Sequence, residues 1–218
     1  MLGEIHCPLC AGTEISPYSE DGHRPYLYCT TCGLVFVPPD WHLTRDAEKK
    51  EYDLHQNDIG DPGYRAFLSR LVQPLIERLP PGARGLDFGC GPGPALAYML
   101  REAGYEVALY DTFFAQEEDA LNARYDFICA TEVVEHLHRP GQELERLWSL
   151  LQPGGWLGVM TKLVRDRPSF DRWHYKNDQT HVCFFSEDTW RWWTRHYDAS
   201  LEIIGADVVL LRRSLARV

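Results

Sequence analysis

The sequence reads Asp87-Phe88-Gly89-Cys90-Gly91-Pro92-Gly93 between a short apolar run and a helical pattern. Residues 83–88 follow Pro81-Gly82 and predict a buried strand, whereas residues 94–103 carry apolar side chains at helical spacing. Glycines at alternate positions let the backbone pass close to a ligand and leave amide groups at a helix N-terminus. The pattern therefore predicts a nucleotide site on a strand-loop-helix unit.

Two details separate the cofactors that such a loop can bind. A dinucleotide fingerprint requires a third glycine at position 94, where this chain has Pro94, so NAD is disfavoured. The next apolar run, residues 105–111, ends at Asp111. A carboxylate at the end of that strand can accept hydrogen bonds from both hydroxyls of a ribose.

An acidic residue two positions before the first glycine, with glycines at 89, 91 and 93, resembles the first motif of class I S-adenosylmethionine (SAM) methyltransferases. Residues 125–136 are similar to the fourth-strand segment of that family, with its Glu-His ending, and residues 151–157 resemble the turn before its fifth strand. The resemblance covers about residues 62–212. It implies an α/β fold with a Rossmann-like sheet that ends in an antiparallel hairpin.

The resemblance also implies which residues bind SAM. The connection of residues 112–124 is too short for the usual helix and third strand, so we expect that strand to be shortened or missing. The adenine contact would then come from Asp119 or from a ring of Phe113 or Phe114. The expected SAM-binding residues are Asp87, Gly89, Cys90, Gly91, Gly93, Asp111, Thr112, Phe113, Thr131 and Glu132.

Two Cys-x-x-Cys pairs stand near the N-terminus, separated by 18 residues. Such pairs can place four thiolates around one Zn²⁺, and a site with four protein ligands is structural. Disulfides or redox dithiols are the alternative, and His6 and His23 are substitute ligands. The expected ligands are Cys7, Cys10, Cys29 and Cys32.

These motifs divide the chain into three predicted parts. Residues 1–40 form a zinc ribbon, residues 41–61 a linker or lid, and residues 62–218 the methyltransferase domain. Within that domain, residues 162–185 are long for a loop and predict a lid insertion. Glu48-Lys49-Lys50-Glu51, in the linker, predicts a solvated helical face.

The lid and the fourth-strand segment carry the candidate catalytic residues. A nucleophile that must lose a proton needs a general base, and histidine titrates near neutral pH. His136 follows the fourth strand, where its counterpart in the family faces the transfer site, and His55 lies in the linker. The candidates in the lid are His181, His174 and Tyr175, the last of which would orient a substrate oxygen.

The charge and the apolar content of the sequence indicate which kinds of binding partner are not expected. A formal net charge of −10 disfavours a large phosphate-binding surface, so nucleic acid is not the expected partner. No run reaches the roughly 20 apolar residues of a membrane span, and no signal sequence opens the chain, so we expect a cytoplasmic protein without a membrane partner. The oligomeric state is not predicted.

Three functions are compared. The leading hypothesis is methyl transfer from SAM to a small molecule, because zinc-ribbon bacterial sugar C-methyltransferases resemble this arrangement, although we expect this chain to lack their C-terminal domain. The second is methylation of RNA, since zinc-ribbon ribosomal-RNA methyltransferases share the same order of segments. The third is a non-catalytic module that binds SAM and zinc.

Overall fold

The computed structural model describes residues 5–54 and 58–215. The described residues form six α-helices and ten β-strands. The helices are α1 (Arg45–Tyr52), α2 (Pro62–Ile76), α3 (Ala95–Glu102), α4 (Pro140–Leu150), α5 (Arg167–Asp171) and α6 (Glu187–Tyr197). The strands are β1 (Ile15–Glu20), β2 (Pro25–Cys29), β3 (Val35–Phe36), β4 (Arg84–Phe88), β5 (Glu106–Tyr110), β6 (Tyr125–Thr131), β7 (Leu151–Met160), β8 (Cys183–Phe184), β9 (Ala199–Ile204) and β10 (Val208–Arg213).

The larger sheet has six strands in the order β5-β4-β6-β7-β10-β9. Strands β5, β4, β6 and β7 are parallel, and β10 pairs antiparallel with both β7 and β9. The predicted fold class, with its terminal hairpin, is confirmed. Residues 112–124 contain no strand, and their regular structure is a 3₁₀ turn at Glu118–Leu121. Strand β5 therefore lies at the edge of the sheet, as the short connection predicts.

The smaller sheet has the order β1-β2-β3-β8. Its last strand comes from the predicted lid, because Val35 pairs with Phe184 and Phe36 with Cys183. This sheet and the larger one share an apolar core, to which β2, β3, α4 and α6 all contribute buried side chains. Helix α4 approaches the first Cys-x-x-Cys segment so closely that a Cβ on Gly141 would lie 2.3 Å from the Leu9 carbonyl oxygen.

Local signals set the helix ends. The Asp61 carboxylate accepts from the Tyr64 amide at 2.7 Å and opens α2, which ends at Ile76. Ser186 and Thr189 form a capping box at the start of α6. The predicted solvated face of α1 is wrong at Glu48, which is buried because its carboxylate pairs with His138.

None of the described helices combines the length and the apolar character that crossing a membrane requires.

We predict that Gly85→Ala destabilises the larger sheet. A Cβ at this position of β4 would lie 2.1 Å from the buried ring of Phe127 on β6, so the strand or the ring must move. Overpacking of this kind costs about 1–3 kcal/mol, which urea denaturation would measure as a loss in the free energy of unfolding.

The matched control is Gly60→Ala, because Gly60 is exposed and its added Cβ would meet Asp58 at an ordinary 3.5 Å. Equal losses of stability in the two variants would contradict the predicted clash.

Candidate functional site

A cavity of about 1080 Å³ opens at the carboxyl ends of β4 and β6. The chain leaves β4 toward β5 on one side, and β6 lies on the other, so the loops diverge there and leave a crevice. All ten residues expected to bind SAM line this cavity: Asp87, Gly89, Cys90, Gly91, Gly93, Asp111, Thr112, Phe113, Thr131 and Glu132.

The glycine loop that follows β4 depends on the absence of side chains. Gly89 has a φ of +74°, and a Cβ there would lie 2.4 Å from a methyl group of Val133. Gly91 also has a positive φ, of 64°. A side chain at Gly89 would therefore clash as well as strain the backbone, and the loop can hold its tight path beside the cavity because glycine stands there.

The Asp111 carboxylate, at the end of β5, fixes the loops on either side of it. One oxygen accepts from the Gly91 amide at 3.0 Å, and the other accepts from the amides of Phe113 and Phe114 at 2.7 and 3.0 Å. A carboxylate has about four lone-pair sites, so it can hold these amides and still accept from a hydroxyl group in the cavity. Asp111 is thus suited to the predicted contact with a ribose.

Asp87 lies beneath the same loop and is almost completely buried. Burial raises the pKa of its carboxyl to about 7, against the lowering effects of the Ala97 amide and the Arg101 charge. The side chain therefore forms a polar floor at the amino end of α3.

Aromatic side chains form one wall of the cavity. The rings of Tyr52 and Phe113 lie 5.6 Å apart, and the Arg45 guanidinium lies 5.2 Å from the centre of the Phe113 ring. Phe114 also lines the cavity, whereas Asp119 is exposed and lies outside the lining. This wall can stack on a planar ring, so the surface that could contact adenine is aromatic rather than acidic.

Titratable side chains form the opposite end of the cavity. His136 and His181 both line the cavity, with ring centres 4.6 Å apart. Each ring is oriented by the main chain, because His136 Nδ1 donates to the Thr180 carbonyl at 3.2 Å and His181 Nδ1 donates to the Tyr175 carbonyl at 2.7 Å. A carbonyl can only accept, so Nδ1 carries a proton in both rings.

Two carboxylates lie beside these rings. Glu135 is fully buried and Glu132 is largely buried, and the Tyr175 hydroxyl donates to both. Burial raises the pKa of both carboxyls, and the neighbouring Glu132 raises that of Glu135 further. Burial and the two carboxylates also raise the pKa of Tyr175, which therefore stays protonated as a donor.

Glu132 has a strained backbone. Its φ of 52° lies in the left-handed region, where a residue with a Cβ is unfavourable by about 1 kcal/mol or more. Its amide donates to the Met160 carbonyl at 2.7 Å, which fixes this conformation at the end of β6. This backbone conformation turns the chain at the end of β6 into the segment that carries Glu135 and His136.

The other two catalytic candidates lie elsewhere. Tyr175 is buried behind the carboxylates and is not part of the cavity lining, although it contacts both carboxylates. His174 is exposed, lies outside the lining and contacts the Lys162 ammonium at 3.2 Å. His55 lies outside the described residues.

Arg24, which the sequence analysis did not identify, holds the segment that carries His181. Its guanidinium is buried and donates to four carbonyls of residues 176–181, at 2.8 or 2.9 Å. Beyond this segment, the Val182 amide donates to the Glu135 carbonyl at 2.8 Å. The segment is thus fixed between β2 and the turn after β6, and the smaller sheet helps to position the site.

A buried ion pair supports the same segment. The Lys176 ammonium lies 2.7 Å from an Asp21 carboxylate oxygen, to which the Tyr26 hydroxyl also donates. Burial would raise the pKa of Asp21, but these two donors hold it well below its usual range. No local pattern marks Arg24 or Asp21, because their partners lie about 150 positions later.

The four N-terminal cysteines form a compact cluster. The sulfur of Cys7 lies 3.5 Å from that of Cys32, the sulfur of Cys10 lies 3.5 Å from that of Cys29, and all four lie within 4.8 Å of one another. A tetrahedral Zn²⁺ with bonds of about 2.3 Å separates its sulfurs by about 3.8 Å, whereas a disulfide requires about 2.05 Å. The cluster therefore fits Zn²⁺, and the alternative ligands His6 and His23 are not part of it.

Sequence comparison identifies the domain. A family model described as "Methyltransferase domain" matches residues 63–202. The comparison with curated proteins finds no match.

Solved structures share the fold at low sequence identity. Residues covering 91% of this chain superpose on 99% of 1,6-didemethyltoxoflavin-N1-methyltransferase from Burkholderia thailandensis, with bound 1,6-didemethyltoxoflavin and S-adenosylhomocysteine, at a TM-score of 0.54 and 17% identity. The PH0226 protein of Pyrococcus horikoshii OT3 gives a TM-score of 0.53 and 16% identity over 76% of this chain and 98% of its own. An O-methyltransferase family protein from B. thailandensis gives a TM-score of 0.51 and 16% identity, over 78% of this chain and 64% of its own.

We predict that Arg24→Lys loosens residues 176–182. A lysine cannot reproduce the planar fork that reaches four carbonyls, and each hydrogen bond from a charged donor contributes about 1.5–3 kcal/mol. The amides of Thr180, His181 and Val182 should therefore exchange with solvent about 10- to 100-fold faster, as measured by hydrogen exchange and mass spectrometry.

Arg124→Lys is the control, because Arg124 is exposed and donates to a carbonyl, that of Ser149, outside this segment. If Arg24→Lys left the exchange of these three amides unchanged, Arg24 would not be the residue that holds the segment.

Proposed function

Since a methyltransferase-domain model matches residues 63–202, this chain belongs to that family of enzymes, and we propose that it methylates a small-molecule acceptor with SAM as the methyl donor. The observation that carries the proposal is the joint placement of the glycine loop, Asp111 and the titratable end in one cavity of about 1080 Å³. A cavity of this size is large enough for a cofactor together with a small acceptor.

The residues along the cavity fit the parts of SAM. We assign the ribose to Asp111, the adenine to the aromatic wall that includes Phe113, and the amino-acid portion to the loop of Gly89 to Gly93. Bound SAM supplies a methyl group that is already activated by a sulfonium leaving group. The contribution of the protein is then mainly to orient the acceptor, which can supply roughly 7–11 kcal/mol in the best intramolecular models.

We assign the acceptor to the end formed by Glu132, His136 and His181. Their main-chain hydrogen bonds orient both imidazoles through Nδ1, and a neutral imidazole held in this way is basic at Nε2, as the removal of a proton from an acceptor requires. Tyr175 acts as a positioning residue, because it touches the carboxylates from behind. His174 is left out of this assignment, because it is exposed and outside the cavity.

The net charge of the chain and the ligand of a protein with the same fold favour a small acceptor over RNA. The chain has a formal net charge of −10, and nucleic-acid binders concentrate basic side chains on one face. In the B. thailandensis N1-methyltransferase, the same fold holds 1,6-didemethyltoxoflavin beside S-adenosylhomocysteine. That precedent supports a small ligand without identifying the one used here.

We also propose that the cysteine cluster holds a structural Zn²⁺. Its four sulfurs would occupy all four tetrahedral positions, so the metal would stabilise the fold without binding water. The strands and loops between the two Cys-x-x-Cys pairs include Arg24, so the metal would also support the hydrogen bonds to residues 176–181.

We predict that Cys29→Ser removes zinc from the purified protein. A serine oxygen is a poor substitute for a thiolate, and structural zinc contributes directly to folding. Elemental analysis should find about one zinc atom per chain in the wild type and a large loss in the variant.

Cys129→Ser serves as the control because Cys129 is a buried cysteine outside the cluster. Undiminished zinc in Cys29→Ser would contradict ligation by four cysteines.

The function is tested with methyl-labelled SAM in an extract of a producing organism, followed by counting of small molecules, RNA and protein. We expect label in the small-molecule fraction. Asp111→Ala should bind S-adenosylhomocysteine about 10- to 100-fold more weakly, because its carboxylate no longer accepts hydrogen bonds from the ribose hydroxyls, and should transfer correspondingly less label.

Asp119→Ala is the matched control, since it removes the same charge from an exposed position outside the cavity. Label in RNA would replace the small-molecule proposal with the alternative acceptor. Equal binding by the two variants would contradict the ribose assignment.

A further inference from the structure

Three side chains at the acceptor end have the donor types and the spacing of a metal site. A carboxylate oxygen of Glu135 and ring nitrogens of His136 and His181 all lie within 4.8 Å of one another. Two ligands on opposite sides of a cation with bonds of about 2.1 Å are about 4.2 Å apart, and adjacent ligands are about 3 Å apart. Small rotations of these side chains would therefore bring all three onto one ion.

The two imidazoles are oriented as metal-binding histidines are. In each ring, Nδ1 donates to a main-chain carbonyl, that of Thr180 for His136 and that of Tyr175 for His181. A histidine that binds a metal almost always donates its other ring nitrogen in this way, which fixes the tautomer and the direction of the lone pair. In the neutral form of both rings the lone pair is therefore on Nε2.

The buried carboxylate of Glu135 has no ion-pair partner among the described residues. Glu135 is fully buried, and among the described residues no lysine or arginine forms an ion pair with it. Its Oε2 atom and the Oε1 atom of Glu132 are both buried without a hydrogen-bond partner. A buried carboxylate oxygen is costly unless it is paired or coordinates a metal. A cation beside Glu135 would satisfy its orphaned oxygen.

Asp178 lies beside His181, at the rim of this cluster. Its Oδ1 atom accepts from the amide and hydroxyl of Thr180, which leaves Oδ2 at 3.6 Å from His181 Nε2. That separation is longer than a hydrogen bond and lies between the separations of adjacent and of opposite ligands on one ion. Asp178, His136 and His181 line the cavity, whereas Glu135 lies behind it. An ion held here would face the acceptor.

We propose that Glu135, His136 and His181, with Asp178 at the rim, bind a divalent transition-metal cation. Mixed imidazole and carboxylate donors suit Mn²⁺, Fe²⁺ or Zn²⁺, whereas the four thiolates of the cysteine cluster select Zn²⁺. The coordination positions that the protein leaves open face the cavity, so the acceptor class is one that presents an oxygen, such as a hydroxyl, phenol or carboxylate. This role in acceptor binding rests on the proposed function; the binding of the cation does not.

The test measures Mn²⁺ binding to the full chain after removal of loosely held metal, by the loss of the electron paramagnetic resonance signal of free Mn²⁺. We expect saturable binding of a single Mn²⁺ per chain. Glu135→Gln and His181→Asn should weaken the binding of Mn²⁺ at least about 100-fold. Tyr175→Phe removes the hydrogen bonds to the carboxylates and should weaken that binding about 10- to 100-fold. His196→Asn is the matched control, because His196 is exposed and also donates Nδ1 to a carbonyl but has no carboxylate partner within residues 5–54 and 58–215.

Titration with S-adenosylhomocysteine and zinc analysis accompany each variant, so that a misfolded protein or a failed SAM pocket is recognised separately from a lost cation. If Glu135→Gln does not fold, Asp178→Asn decides, since its side chain is 39% exposed and Oδ1 can keep its bonds to Thr180. Weakened Mn²⁺ binding with intact S-adenosylhomocysteine binding supports the site. Absence of binding to the wild type, or equal binding by the wild type and the folded variants, overturns it and leaves His181 and Asp178 as an ion pair.

Discussion

The hydrogen bonds of one buried guanidinium hold the site together. Arg24, just before β2, satisfies four carbonyls of residues 176–181, in a segment without regular sheet or long helix to occupy those groups. Buried carbonyls are unfavourable unless they accept a hydrogen bond, and a planar donor with five N–H groups can serve several of them. The direction of the His181 ring therefore depends on a residue in the smaller sheet. This contact adds to the shared apolar core and the pairing of β3 with β8, which also join the smaller sheet to the rest of the fold.

Local patterns predicted the larger sheet and marked the residues at the end of the cavity that we assign to the cofactor. The glycine loop, Asp111 and the strands beside them lie within about 25 positions of one another in the sequence. Their hydrogen bonds also join residues that are close in sequence. The missing strand followed from the length of residues 112–124 alone. By contrast, Glu48 belongs to a charged run that indicates a solvated helix, and it is buried by pairing with His138, 90 positions away. Arg24 was missed for the same reason.

The two ends of the cavity differ in how their charges are compensated. At the cofactor end, the Asp111 carboxylate accepts from three backbone amides, so its charge is balanced by the fold itself. At the acceptor end, Glu132 and Glu135 share the hydroxyl of Tyr175, and each keeps a buried oxygen without a partner. Sequence similarity suggested Glu132 as a SAM contact and included Glu135 in the Glu-His ending without giving it a role, because its contact with Tyr175 joins residues 40 positions apart. The acceptor end is thus built by parts of the chain that meet only in the folded state.

The pairing of β3 with β8 has a consequence for synthesis of the protein. The cysteines and β1 to β3 leave the ribosome well before β8, which lies almost 150 residues later in the chain. Until β8 is made, β3 is an open strand edge, and such edges pair readily with other chains. Thiolates that capture a metal early would keep the nascent hairpin compact during that interval. Closure of so long a loop also gives a high contact order, so the last step of folding, which completes the acceptor end, is expected to be slow.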